Sequence, residues 1–125
     1  MHIIRKKEPE FVDARGAITK ILDKGEEILS VLLITSRAGS VRANHYHKND
    51  THYSYLLSGK MEWVEQPRDG GEKERTVLEP GDMVYTPSLT MHAARALEDS
   101  VFLAFSTSRR GQEEYESDTV RVNLL

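Results

Sequence analysis

The sequence predicts an all-β domain, a sandwich or barrel of short antiparallel strands. Apolar and polar residues alternate with period two in one run after another, among them Ala17–Ile21, Val41–His47 and His92–Leu97. Gly, Pro and Asp turn signals interrupt the chain every eight to twelve residues or so, giving about nine or ten strands. No stretch shows a helical period.

The first fourteen residues read as a short arm, in which His2-Ile3-Ile4 suits an edge strand before a charged run and Pro9. Asp13-Ala14-Arg15-Gly16 is turn chemistry, and Ala17–Ile21 follows as a strand. Lys24-Gly25-Glu26-Glu27 turns the chain into Ile28–Thr35, a run apolar on both faces and so expected at the centre of a sheet. Val41–His47 and His52–Leu57 come next. Ser58-Gly59-Lys60 is a tight hairpin signal leading into Met61–Gln66. The loop Pro67–Glu72 contains Gly-Gly, permissive at positive φ. Glu74–Leu78, Met83–Thr86, His92–Leu97 and Val101–Ser106 complete the set. In the tail, Arg109–Glu116 is polar, while Thr119–Leu124 alternates and suits pairing on a sheet edge. This places one domain at residues 1–125, with a core barrel at about 17–106, an arm at 1–14 and a tail at 107–125.

Composition narrows the classes of function. A chain of 125 residues with 38% hydrophobic and 30% charged residues suits one globular domain. A net charge of −3 gives no basic footprint for nucleic acid. The chain contains no cysteine, which excludes disulfides and thiolate ligands and fits a reducing cytoplasm. The N-terminus is too charged for a signal peptide, and the densest apolar stretch, Ile28–Ile34, is too short to span a bilayer. A soluble cytoplasmic protein with no membrane or nucleic-acid partner is expected.

Three of the five histidines fall between Gly39 and Gly59. His45 and His47 are one residue apart, so a strand sends both imidazoles to one face. His52 opens the next strand after the polar break Lys48-Asn49-Asp50-Thr51, and His92 follows forty residues on. Imidazoles crowded inside a barrel need partners for their lone pairs, and one divalent cation supplies a partner to all of them. By parity, Ala43 should share the histidine face, while Arg42, Asn44 and Tyr46 point away. Ser54 and Leu56 should accompany His52, with Tyr53 and Tyr55 on the opposite face. Ala94 and Ala96 leave room beside His92, and Arg109-Arg110 could meet a phosphate.

The spacing of these residues resembles the cupin family. Its first motif matches at Gly39, His45, His47 and Gly59, with His52 where the family usually has Glu. Its second matches at Gly81, Pro87 and His92, with Leu89 replacing the usual Gly and Ala96 the usual Asn. The resemblance implies a single cupin jelly roll, or double-stranded β-helix, and a homodimer. His45, His47, His52 and His92 are then the expected ligands of one divalent transition metal. Loss of the anionic Glu disfavours Mn²⁺ and leaves Zn²⁺, Ni²⁺, Cu²⁺, Co²⁺ or Fe²⁺.

Asp13-Ala14-Arg15-Gly16 and Val41–His47 are also similar to cupins that act as 3,5-epimerases and 3,4-ketoisomerases on nucleotide-linked keto-sugars. By that similarity His45 or His47 could take a proton from the carbon beside a carbonyl. Those relatives use no metal, and Val31-Leu32-Leu33-Ile34 lacks the tyrosine that the ketoisomerases carry. The resulting expectation is an isomerase- or epimerase-like enzyme using the ion as Lewis acid on a small oxygen-rich substrate, with a sugar or sugar nucleotide as one class. A metal-dependent dioxygenase and a non-catalytic small-molecule-binding barrel are the alternatives.

Overall fold

A computed structural model describes residues 1–23 and 25–125; Lys24, in the expected 24–27 turn, lies outside the described residues. The strands are β1 (His2–Ile4), β2 (Phe11–Asp13), β3 (Gly16–Ile18), β4 (Ser30–Ser36), β5 (Val41–His47), β6 (His52–Ser58), β7 (Met61–Pro67), β8 (Glu74–Leu78), β9 (Met83–Thr86), β10 (Thr90–Ala96), β11 (Ser100–Ser106) and β12 (Thr119–Arg121), with a helix α1 (Gln112–Asp118) before β12. Two five-stranded antiparallel sheets run β1-β9-β6-β11-β4 and β12-β5-β10-β7-β8, while β2 and β3 pair only with each other. Consecutive strands β5 and β6, or β10 and β11, lie in opposite sheets, as a jelly roll requires.

The sheets close over a core of Leu56, Met61, Trp63, Leu78, Val84 and Phe102. These residues come from alternate positions of their strands, so one face of each strand is buried. Among the described residues no helix is long and apolar enough to cross a membrane. The N-terminal arm is tied down at the Pro80-Gly81-Asp82 turn. Asp82, 4% exposed, accepts from Arg5 Nη1 (2.9 Å) and from the Lys6 (2.9 Å) and Glu79 (2.9 Å) amides.

Four expectations are corrected. The Ile28–Thr35 run forms β4, which is an edge strand rather than a central one, and Val31 and Leu33 are 59% and 66% exposed. An apolar run reports burial of a strand's faces, and here β4 packs only its inner face. Ser58-Gly59-Lys60 is not a hairpin, because β6 and β7 belong to different sheets and the turn arches between them. Residues 112–118 are helical, although their sequence carries no apolar stripe.

The fourth correction concerns parity on β5. His45 pairs with His92 but Ala43 pairs with Ala93, so Asn44 is the extra residue of a bulge. Ala43 (φ 68°) and Asn44 (φ 56°) both take left-handed backbone there. Beyond the bulge strict alternation ends: Ala43 lines the cavity as expected, and exposed Arg42, opposite Ala94, borders it as well. Asn44 itself clamps the tail: its Oδ1 accepts from the Leu124 (3.1 Å) and Leu125 (2.9 Å) amides, and its Nδ2 donates to the Leu125 carbonyl (3.0 Å). Leu124 packs there against Val64 and Ala93.

The arch at Gly59 lies against the β10–β11 turn, where Lys60 N donates to Ser100 Oγ (3.1 Å) and Leu97 N to the Lys60 carbonyl (2.8 Å). Gly59 has φ 91°, and a Cβ there would sit 2.5 Å from the Asp99 carbonyl oxygen and 2.7 Å from Ser100 Cα. Backbone cannot retreat as a side chain can. Gly59→Ala should therefore cost about 3 kcal/mol or more. Gly39→Ala, also at positive φ but with nothing within 4 Å, should cost only about 1–2 kcal/mol. Urea unfolding of the two variants measures the difference; equal losses would mean that overlap with the turn is not the cause.

Candidate functional site

Between the sheets lies a cavity of about 380 Å³. Strand β5 sends His45 and His47 into it, β6 sends His52, and β10 sends His92. The four expected histidines are thus brought together. Ring centroids are 4.6 Å apart for His45–His47, 4.7 Å for His45–His92, 5.0 Å for His52–His92 and 5.6 Å for His47–His52. All four are buried.

The Nδ1 atoms of His92 and His47 are tied off, whereas His52 Nδ1 is buried without a hydrogen-bond partner among the described residues. His92 Nδ1 donates to the Thr90 carbonyl (3.0 Å), which leaves its Nε2 with a lone pair. The Thr119 hydroxyl donates to the Tyr115 carbonyl (2.6 Å), so it can only accept from His47 Nδ1 (3.3 Å). His47 Nε2 is then a buried lone pair with no hydrogen-bond partner. His45 Nδ1 lies 3.5 Å from Tyr115 Oη. Burial, reinforced by repulsion from neighbouring His47 and His52, pushes the His45 pKa down to about 3. Burial, with repulsion from His52, brings His47 to about 4 against partial opposition from Asp50. Burial likewise holds His92 well below the ordinary histidine value. These three rings are therefore neutral near pH 7, the form that binds a metal.

The side chains fall into two groups. One nitrogen each from His45, His47 and His92 lie within 4.8 Å of one another, and so do ligand atoms of His47, Asp50 and His52. The expected fourth ligand, His52, thus sits beside a carboxylate, with Nδ1 3.3 Å from Asp50 Oδ2. Asp50 is 2% exposed. Its Oδ1 accepts from Ser106 Oγ (2.5 Å) and Thr107 Oγ1 (3.3 Å), and its Oδ2 lies 3.4 Å from Arg110 Nη1. Burial alone would raise its pKa. The contact with His52, the Ser106 hydrogen bond and nearby His47 outweigh burial and hold the carboxyl below the usual carboxylate range.

Behind His92, the Trp63 indole stacks parallel to the imidazole at 6.0 Å. Its Nε1 donates to Glu65 (2.9 Å), which also accepts from Thr86 Oγ1 (2.9 Å). Burial raises the Glu65 pKa, and those two hydrogen bonds only partly oppose it. The mouth is formed in part by Tyr115 on α1 and by Arg42, Arg110 and Arg121. Ala94 lines the cavity as expected, whereas Ala96 lies deeper in the core. Tyr53 and Tyr55 lie on the outer face, opposite Phe105 and Leu103 of β11. Arg15 is spent on Asp13 in the exposed β2–β3 turn, away from the cavity.

Sequence reasoning did not single out Asp50, Glu65, Tyr115 or Thr119. Asp50 was visible only as one residue of a polar break. Tyr115 and Thr119 depend on a helix that the sequence pattern did not reveal.

Solved structures share this shape. A dTDP-4-dehydrorhamnose 3,5-epimerase from Sulfolobus tokodaii is 21% identical with a TM-score of 0.73, over 87% of this chain and 70% of that one. A sugar 3,4-ketoisomerase from Thermoanaerobacterium thermosaccharolyticum, in complex with TDP, is 22% identical with a TM-score of 0.75, over 95% and 85%. An epimerase from Mycobacterium tuberculosis is 18% identical with a TM-score of 0.78, over 95% and 66%. At such identities the likeness is one of fold. Among curated proteins none matches the chain. The family model described as Cupin matches residues 20–122, and the chain belongs to the cupin family.

Proposed function

We propose that the cavity is the active site of an isomerase- or epimerase-like enzyme. Its substrate is a small oxygen-rich carbonyl compound, a sugar or sugar nucleotide being the class suggested by the solved structures of similar fold. One divalent ion, Zn²⁺, Ni²⁺, Cu²⁺, Co²⁺ or Fe²⁺, is held among the histidines. The observation that carries the reading is the buried His47 Nε2 without a partner. The Thr119 hydroxyl aligns this ring from behind, and a nitrogen of His47 is grouped with nitrogens of His45 and His92.

His45, His47 and His92 would hold the ion, with His52 as the fourth imidazole of the cluster. Bound there, a divalent ion supplies Lewis-acid polarisation of a carbonyl oxygen. The proton work falls to this chain's own groups. Asp50 Oδ2 lies 3.3 Å from Nδ1 of His52, and a proton placed on Nδ1 by that carboxylate would leave Nε2 to accept the proton α to the carbonyl. Return of that proton from the same face to the former carbonyl carbon, with the hydroxyl proton passing from the new carbonyl oxygen to the old one, gives the isomer. Tyr115 at the mouth and apolar Phe102 and Ile34 limit water around the exchange.

The chain's single tryptophan reports on the site, because Trp63 is stacked on His92. Titrating metal-free protein with Cu²⁺ or Ni²⁺ should quench its emission saturably at one ion per chain. His47→Ala should weaken binding by about 100-fold or more. Elemental analysis of freshly purified protein identifies the resident ion, and stoichiometric redox-silent Zn²⁺ argues against the dioxygenase alternative. Emission unchanged by any of these ions, together with protein purified free of metal, would sink the metal reading. Deuterium uptake from solvent into a keto-sugar tests the proton transfer itself.

A further inference from the structure

Among the described residues, those lining the cavity carry four imidazoles and three guanidiniums and no carboxylate. The acids that meet those guanidiniums, Asp50 at Arg110 and Glu116 at Arg121, lie outside the lining. Arg42, which borders the cavity beyond the bulge, hydrogen-bonds among the described residues to Ser36 Oγ (3.1 Å) and the Thr35 carbonyl (2.6 Å). Arg121 is 65% exposed and paired with Glu116, which leaves Arg110 as the partly buried cation of the lining. The fields of Arg110 and Arg121 reach His45, where both disfavour a further positive charge.

Arg110 is the best-fixed member. Its side chain is 18% exposed, with one guanidinium nitrogen 3.4 Å from buried Asp50 and the guanidinium carbon 4.8 Å from the centre of the Tyr115 ring. A planar fork held on one side by a carboxylate and on one face by an aromatic ring loses little freedom when its remaining N–H groups meet an anion. The size of the cavity sets the second constraint. Ligand sites run from about 300 to about 1,000 Å³, and about 380 Å³ is near the small end of that range. That suits a sugar ring or a short-chain acid better than a whole nucleotide-linked sugar. The Ile34, Phe102 and Ala104 surface gives the carbon skeleton an apolar wall.

We propose that the ligand is a compact organic anion, with a carboxylate or phosphate-ester head on the Arg110 fork at the mouth and its oxygen-bearing carbons at the imidazoles. This rests on the reading of the cavity as the reaction site and specifies the substrate class. The anion lies within one small molecule's length of the histidines, so the same group that gives affinity also fixes which carbon reaches them.

Calorimetry with four probes tests it: L-malate, D-glucose 6-phosphate, neutral D-glucose and TDP. Malate or glucose 6-phosphate should bind with a dissociation constant of about 1 mM or tighter. Which of the two binds distinguishes a carboxylate head from a phosphate head. Glucose should not bind, and TDP should bind no tighter than the better compact anion. Arg110→Ala should weaken the anion by about tenfold or more. Because that variant leaves Asp50 buried beside an empty space, Arg110→Lys, which keeps the charge without the fork, decides the matter if Arg110→Ala does not fold; it should lose about threefold or more. The proposal is overturned if neither compact anion binds, if glucose binds equally well, if TDP binds about tenfold tighter, or if the folded Arg110 variant or variants bind as the wild type does. Anion binding without any deuterium uptake would leave this inference standing and remove the isomerase reading, whereas uptake into neutral sugars alone would do the reverse.

Discussion

Acidifying the metal-free protein from about pH 7 to about pH 4.5 should cost it a large part of its stability. An unfolded histidine titrates near 6.5, whereas folded His45 and His47 titrate at about 3 and about 4, and His92 well below its ordinary value. Between these limits the unfolded chain takes up protons that the folded chain refuses, so each step down in pH favours unfolding. The contribution of the histidines is intact above about 6.5 and falls away as pH drops below it. Each ring that stays neutral costs about 1.4 kcal/mol per pH unit. Two of them over two units come to about 5 kcal/mol, which is the whole stability of a marginal domain. Asp50, with its depressed pKa, adds a further loss only at lower pH, as it is protonated below the ordinary Asp value near 3.8. Urea midpoints measured in a pH series should therefore descend steeply below pH 6.5. A flat profile from pH 7 to pH 5 would mean that the rings are not buried together as described. The same proton uptake should weaken metal binding across this range.

Asp50→Ala is the second change with a large expected effect. This carboxylate serves two hydroxyls, one guanidinium and one imidazole from a position that is 2% exposed. Removing it strands the half-buried Arg110 charge and leaves the buried Ser106 hydroxyl without its acceptor. Breaking a buried charge pair in this way costs about 3–5 kcal/mol. Asp50→Asn keeps the volume and one acceptor oxygen and should lose roughly half as much. Chemical denaturation of both variants measures the losses. If Asp50→Ala were as stable as the wild type, Asp50 would not be the anchor between β6, β11 and the approach to α1. Proton exchange in the better-folded Asp50→Asn should fall even where its metal content does not, because Asp50 acts through His52.

Much of this was legible in the sequence, and the exceptions have physical causes. Period-two alternation and turn residues located the strands, and the spacing of His45, His47, His52 and His92 picked out four side chains that the fold gathers in one cavity. Alternation cannot report which strand is at the edge, so apolar β4 was expected at the centre. Nor can it foresee a bulge, and the extra residue Asn44 brings Arg42 to the border of the cavity. The helix α1 has no apolar face and no buried residue. It is held by neighbours distant in sequence, with Asp118 accepting from the Asn49 (2.8 Å) and Asp50 (3.1 Å) amides. Tyr115 therefore could not be placed over the histidines before the fold was known. Asp50 looked like loop polarity because its partners Ser106, Thr107 and Arg110 lie more than fifty residues downstream.

The Asn44 clamp has a consequence for how the imidazoles are aimed. Strand β5 could slide along β10 by one position and keep most of its ladder, but that slip would swing His45 and His47 out to solvent. What forbids it is a peg on the far side of the sheet: residues 122–125 lock onto Asn44 like a latch, with the Val122 amide on its carbonyl (2.9 Å). The aim of the two ring nitrogens inside the barrel is thus set by a strap of chain outside it.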